Sequence, residues 1–346
     1  MSNRHITFTA PKVASIIDRE IPKVKENEVL VKLVRSTISA GTERANLVGE
    51  VNVSPKVGRI VPFPRQTGYS SSGIVVEVGS AVTSVKVGDR VACAWSKHAE
   101  YCALAEEKVY PLPDGVTFAS GALMHIATFP LAAIRKCRLE VGESAIVMGL
   151  GVLGLVAVTL LRAAGAVPII AVDPVKEKRE EALRLGADYA LDPFAEGFTE
   201  RVKALTGEGA RVAIEVTGKG QGLDMVLDCM ATFGRVALLG CTRNSDFSID
   251  YYRKVHARGI TMVGAHTIAR PKHESFEGWW CERDDEIAVL RMLAHRRIDF
   301  DTMIEEVHSP LEAQAVYDRL AENASFPLVQ FDWSMISSET SEEGKA

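Results

Sequence analysis

The chain lacks any pair of cysteines in a C-x-x-C arrangement. Its six cysteines, Cys93, Cys102, Cys137, Cys229, Cys241 and Cys281, are scattered over 346 residues. That scatter gives no disulfide framework and no paired-thiol metal ribbon, so a reduced, cytoplasmic protein is expected. The residues Met1 to His5 carry no apolar signal core. Long apolar runs are missing too. The stretch Glu143 to Arg162 comes nearest, but glycines interrupt it and it reads as a strand followed by a helix, not as a membrane span. There is no excess of positive charge: the formal net charge is −5, which excludes a global attraction to nucleic acid or to an anionic membrane. The small basic clusters at Lys176, Lys178 and Arg179, and at Arg296 and Arg297, read as solvated faces.

What is present fits a soluble globular chain. Apolar residues make up 47% and charged ones 25%, and the length accommodates two domains with their own cores. The most informative feature is Gly149-Leu150-Gly151-Val152-Leu153-Gly154. It follows an apolar run, Ser144 to Met148, and precedes a helical run, Leu155 to Ala164. Asp173 stands nineteen residues after Gly154, at the end of a second apolar run, Pro168 to Val172. Glycines between a strand and a helix, with an acid about 20 residues on, form a dinucleotide fingerprint. Gly149 permits the turn, Gly151 leaves room for a pyrophosphate, and Gly154 lets the helix approach the strand. The helix N-terminus at Val152 and Leu153 presents N–H groups to the phosphates. Asp173 can accept hydrogen bonds from the adenosine ribose. Its charge would repel a 2′-phosphate, so NAD is expected over NADP.

Residues up to about 120 read as mostly β, with alternating runs such as Val29 to Leu33 and Gly73 to Val78 between turn clusters. Ser54 to Pro64, with three prolines and a glycine, reads as a surface loop, and Pro111 to Gly115 as a closing loop. From about Phe118 the period becomes helical, and then β and α alternate. Strands are expected at 169–172, 212–216, 236–239 and 260–263, with helices at 176–185 and 223–231. Further helices are expected at 284–294 and 310–323, and a last strand at 326–333. Residues after about Met335 are rich in Ser, Glu and Lys and read as frayed. The alternation predicts an α/β class with a doubly wound parallel sheet. The loops at Thr217-Gly218, Gly240 and Gly264-Ala265-His266 end its strands on the ligand edge.

With these residues placed, the chain resembles the medium-chain dehydrogenase/reductase superfamily over nearly its whole length. The matching pieces stand in order: Ala40-Gly41-Thr42-Glu43, Gly68-Tyr69-Ser70, Val87 to Val91, Ala99-Glu100-Tyr101, Gly149 to Gly154, Asp173, and Gly186-Ala187-Asp188. The resemblance implies a chaperonin-10-like β domain (1–125 and 270–346) and a Rossmann domain (126–269). It also implies a redox enzyme, a homodimer and a small-molecule substrate, with no nucleic-acid or membrane partner. Lys178 then flanks the ribose, and Thr128 and His266 lie by the nicotinamide.

Departures from the zinc alcohol dehydrogenases of that superfamily are informative. Ala40 stands where they place a cysteine, and Tyr69 where they place a histidine. The third ligand falls at Met124 or His125, and the lobe of a structural zinc is missing between Val91 and Ala99. A catalytic zinc needs three protein ligands of N, S or O type. No metal is therefore expected at the usual place. Ile38 to Arg44 and Gly68 to Gly73, with His98 to Tyr101 and Gly264 to His266, look like the branch of bacteriochlorophyllide dehydrogenases and sugar- or cyclitol-type oxidoreductases.

Without a Lewis acid, side chains must take up the proton and stabilise an alkoxide. The candidates are Thr42 as relay, Tyr69 as donor or acceptor, His98 as shuttle and Glu43 as its orienter. Glu43 as an ion-pair partner of Arg44 or Arg90 is the competing reading. Trp95 and His125 are expected to line the substrate pocket. The loop Arg270 to Trp280 reads as a surface or dimer contact, with sugar stacking as the alternative. The expected activity is a zinc-independent, NAD-dependent interconversion of a secondary alcohol and a ketone of a polyol, sugar or cyclitol. The alternatives are a reductase of enones or quinones, and a non-catalytic dinucleotide sensor.

Overall fold

The computed structural model describes residues 2–54, 60–323 and 325–336. Residues 55–59 of the proline-rich stretch, and the Ser/Glu/Lys-rich end from 337, lie outside the described residues. The chain divides into two compact units, Met1–Ile126 with Glu286–Ala346, and Ala127–Asp285. The stretch 270–285, expected with the first domain, groups with the second unit. Its Arg270 pairs with Asp285 at 3.4 Å, and Asp285 accepts from Arg135 at 2.9 Å.

The first unit opens with the hairpin β1 (Ser2–Ala10) and β2 (Val13–Glu20), followed by β3 (Glu28–Thr37). Next come α1 (Ala40–Val48), β4 (Arg65–Gln66), β5 (Ser70–Val78), β6 (Arg90–Ala94), β7 (Tyr101–Ala105), β8 (Val109–Pro111) and the short α2 (Phe118–Gly121). Alternating sequences such as Val29 to Leu33 bury one face of an antiparallel sheet. The helix α1 is not among the elements expected of this mostly β region. Its sequence carries no apolar stripe; it is held by a buried carboxylate described below and ends at Gly49, where φ is +77°. Thr117 caps α2 by accepting from the Ser120 amide at 3.0 Å.

The second unit is built on α3 (Met124–Lys136), β9 (Ala145–Met148), α4 (Val152–Ala164), β10 (Ile169–Val172), α5 (Lys176–Arg184), β11 (Tyr189–Leu191), α6 (Phe198–Thr206), β12 (Ala210–Glu215), α7 (Gly220–Asp228), β13 (Met230–Leu238) and β14 (Thr261–Gly264). Every residue of β9 and β10 is buried, as parallel strands covered on both faces require. The strand order is β11-β10-β9-β12-β13-β14, all parallel. The winding reverses between β9 and β12, which creates a crevice at the carboxyl ends of those strands. The helix expected at 223–231 instead covers Gly220–Asp228, because Met230 already pairs with Ala210 at the start of β13.

The chain returns through α8 (Glu282–Ala294), β15 (Glu306–His308), α9 (Ala313–Glu322) and β16 (Val329–Asp332). In the first unit β16 joins β3, giving a sheet of order β15-β16-β3-β5-β6-β8, with β7 also on β3. Its core gathers Val31, Leu33, Val75, Val91, Tyr317, Phe331 and Trp333. Among the described residues no helix is long and apolar enough to cross a membrane.

Candidate active site

In the second unit the glycine turn behaves as its residues require. Gly149 has φ +97°, a conformation costly for a side-chain-bearing residue. A Cβ on Gly154 would sit 1.9 Å from the Gly149 carbonyl oxygen, so only glycine lets α4 close on β9. A Cβ on Gly151 would meet nothing within 4 Å: the turn is open on that side, where a pyrophosphate would approach. Val152 and Leu153 open α4 and point their amides out of its N-terminus. Asp173 accepts from the Leu150 amide at 2.8 Å and from the Val175 amide at 2.9 Å, so it holds the turn while retaining acceptor lone pairs. Lys178 is buried near the start of α5. These residues fit a dinucleotide.

The other expected cofactor residues are drawn together by groups that pattern reading missed. Glu215, at the end of β12, is 2% exposed. It accepts from the Thr217 and Gly218 amides at 2.8 and 3.1 Å, and burial raises its pKa. Gly240 packs so closely that a Cβ would meet the Gly218 nitrogen at 2.3 Å. Lys136 on α3 donates to the carbonyls of Gly264 and Ala269 at 3.1 and 2.7 Å. It thereby spans the short loop holding Ala265 and His266. Burial, and then Arg270, lower its pKa to about 8. His266 accepts from the Ile268 amide at 3.3 Å, and burial holds its imidazole below the usual value. Arg270 donates to both the carbonyl and the hydroxyl of Thr128, at 2.8 and 3.1 Å. The aromatic stretch after it is pinned to α3, with Arg135 over Trp280 and Lys136 over Trp279. That segment therefore serves the second unit's own packing.

In the first unit two groups of candidate residues separate. Glu43 and His98 lie inside, 2% and 0% exposed. The Glu43 carboxylate accepts from the Ser39 amide at 2.9 Å, Thr67 Oγ1 at 2.8 Å, the Tyr317 hydroxyl, and His98 Nε2 at 3.2 Å. Burial pushes its carboxyl up, but His98, Tyr317 and the Ser39 amide outweigh this and hold it below the usual carboxylate range. Burial and the Glu43 charge raise the Tyr317 phenol well above its ordinary value. His98 Nδ1 meets Ser36 Oγ at 2.7 Å, and Ser36 also accepts from Trp333 Nε1 at 2.8 Å. Both imidazole nitrogens are thus engaged by protein groups. Arg44 and Arg90, the alternative partners of Glu43, are used elsewhere: Arg44 pairs with Glu50, and Arg90 donates to the Val116 carbonyl. Gly68 makes the arrangement possible, because at its φ of +87° a Cβ would strike the His98 backbone nitrogen at 2.5 Å.

The second group faces a different way. The Tyr69 hydroxyl donates to Ser39 Oγ. The Tyr69 ring lies 6.1 Å from that of Trp95 and 5.9 Å from that of His125, and Trp95 meets His125 edge-on at 4.7 Å. Trp95 is partly exposed with φ +56°, an uncommon conformation for a bulky residue, and its amide donates to the Tyr69 carbonyl at 2.8 Å. His125 Nδ1 bonds Glu286 Oε1 of α8 at 2.7 Å. Thr42 lies on the first turn of α1, half-buried. Ser39 and Glu286 were not legible in the motifs. Ser39 adjoins the Ala40 motif, but Glu286 is 161 residues from His125.

This arrangement bears on zinc. Ala40 has no donor atom and the Tyr69 hydroxyl donates to Ser39; of the two candidates for the third position, Met124 is buried and His125 bonds Glu286. Ala40 and Tyr69 supply neither the cysteine nor the histidine of the usual zinc set, while His125 with Glu286 keeps donors of the type a metal takes.

Comparison with known proteins places the chain among dehydrogenases. Residues 25–138 match the family model described as alcohol dehydrogenase GroES-like domain, and residues 152–280 match zinc-binding dehydrogenase. An L-threonine 3-dehydrogenase of Caldanaerobacter subterraneus is 31% identical over 281 residues, 72% of this chain and 79% of the relative. A D-guloside 3-dehydrogenase of Escherichia coli is 28% identical over 324 residues, 88% of this chain and 92% of the relative. The crystal structure of 2R,3R-butanediol dehydrogenase from Bacillus subtilis superposes with a TM-score of 0.81 at 24% identity, covering 96% of this chain and 99% of that one.

Proposed function

The chain belongs to the medium-chain dehydrogenase/reductase family, as an NAD(P)-dependent oxidoreductase, and from that premise we propose that it interconverts a secondary alcohol and a ketone of a polyol, sugar or cyclitol, with NAD and without zinc at the family's usual position. One observation carries the reading: Tyr69, at the position where the family resemblance implies a metal ligand, is hydrogen-bonded to Ser39 and walled by Trp95 and His125. A phenol in that place supplies what a Lewis acid otherwise would, a positioned donor to the substrate oxygen as charge develops on it. Ser39 keeps the phenol oriented, and Thr42 lies three residues on as a second hydroxyl. The rings of Tyr69 and Trp95 offer apolar faces to a sugar's C–H groups, while the hydroxyls serve its oxygens. The 3-dehydrogenase named for a D-guloside among the relatives supports a polyhydroxylated substrate.

The dinucleotide, when bound, supplies the hydride acceptor. Asp173 favours NAD, because its carboxylate suits ribose hydroxyls and opposes a phosphate. Glu43 and His98 are read as a buried pair that fixes α1, and so Ser39, instead of exchanging protons with substrate. Self-association through the sheet edge at β14 is the assembly proposed.

The test is NADH formation by purified protein with a panel of polyols, glycosides and cyclitols. Turnover is expected with NAD in preference to NADP, and Tyr69→Phe should lower kcat about a hundredfold. NADH oxidation on enones or quinones alone would replace this reading with the reductase one. NADH binding without turnover in either direction would replace it with a sensor.

A further inference from the structure

We propose that Glu215 is a positioning residue for the dinucleotide: it sets the turn 216–218 against the glycine turn 149–154, so that the pyrophosphate meets a preformed seat. This rests on the reading that the dinucleotide is held at the glycine turn. Glu215 ends β12 and is 2% exposed. Its Oε1 accepts from the Thr217 amide at 2.8 Å and from the Thr217 hydroxyl, and its Oε2 accepts from the Gly218 amide at 3.1 Å. Bonds to an ionised acceptor are stronger than those between neutral groups, so the turn is held tightly from below. The backbone of the same residue holds the next strand: its carbonyl accepts from the Leu239 and Gly240 amides at 2.9 and 2.8 Å.

Thr217 carries this order to the glycine turn. Its hydroxyl donates to Glu215 and accepts from the Lys219 amide at 3.1 Å. With the hydroxyl so committed, its methyl group is turned to Gly149, where a Cβ would lie 3.0 Å from Thr217 Cγ2. On the other side, a Cβ on Gly218 would meet the Cys241 carbonyl oxygen at 2.7 Å. The turn 216–218 is therefore wedged between the turns that follow β9 and β13. Asp173 does the matching task from β10 by accepting the Leu150 amide at 2.8 Å. The glycine turn is thus fixed from both neighbouring strands, by one carboxylate directly and by the other through Thr217. A seat held in its binding shape beforehand spares the ordering that binding would otherwise require.

The test is binding, measured with the whole protein. NADH is titrated by its fluorescence, and ADP-ribose and adenosine are titrated by displacing it. Adenosine keeps the part assigned to Asp173 and Lys178 and has no phosphate. Glu215→Gln sets an amide donor against donors that now face a carboxylate. NADH and ADP-ribose should bind it about tenfold more weakly, and adenosine within about twofold of the native value. Thr217→Val keeps the branched shape and removes the hydroxyl that Glu215 holds. It should weaken NADH about threefold with adenosine unchanged, and it serves alone should Glu215→Gln not fold.

Unchanged NADH affinity in the variants overturns the proposal. An equal loss for NADH, ADP-ribose and adenosine also overturns it, because Glu215 would then only support the sheet. Failure of the underlying reading is separate: Gly154→Ala would leave NADH affinity unaltered, whatever Glu215→Gln does.

Discussion

Two buried imidazole–carboxylate pairs, Glu43 with His98 and Glu286 with His125, occupy the same unit. Glu43 is surrounded by donors, so its charge is fully compensated and its removal leaves several of them unpaired. Glu43→Gln should cost about 3 kcal/mol of stability, read from the urea midpoint near neutral pH. The pH dependence has a definite sign. The folded carboxyl titrates below the unfolded one, so the contribution is full above the ordinary carboxylate range and lost as pH falls through the folded value. The gap between mutant and parent should therefore narrow in acid, and a gap that widens would show that Glu43 is not the ionised partner. Gly154→Ala makes a second residue-scale case. The added methyl meets the Gly149 carbonyl oxygen, so the turn must shift, costing about 1–3 kcal/mol and weakening NADH binding tenfold or more in a fluorescence titration.

At the scale of elements, the loop between β14 and Arg270 is held from outside itself. Lys136 bonds the carbonyls at both its ends, and Arg270 grips Thr128. Lys136→Met should free residues 265–269, seen as faster amide exchange there, and should weaken NADH binding about tenfold with the glycine turn intact. Legibility differs between elements for physical reasons. The unit β9–α4–β10 could be read because glycine placement and buried apolar runs are local properties. Helix α1 could not, because Glu43 stabilises it through partners as distant as Tyr317, and a carboxylate inside a short polar sequence carries no periodic signal. The same holds of Glu286: nothing in the first turns of α8 distinguishes it from the neighbouring acids Glu282, Asp284 and Asp285. The Glu43–His98 contact was within reach, since both residues stand in motifs, but their complete burial was not.

At the scale of the whole molecule, a fold shared with the zinc-binding dehydrogenase family carries at its expected metal positions an alanine, a tyrosine and either the buried Met124 or His125. Fold alone does not decide chemistry; the groups at the site do. On the reading proposed above, the phenol of Tyr69, oriented by Ser39, takes the place of the metal as donor to the substrate oxygen. The most direct measurement is NADH formation by protein dialysed against chelator, with its zinc content determined on the same sample and a panel compound as substrate. The account predicts a rate independent of zinc content and lowered about a hundredfold by Tyr69→Phe. A rate that rises in proportion to bound zinc, toward one ion per chain, would contradict it.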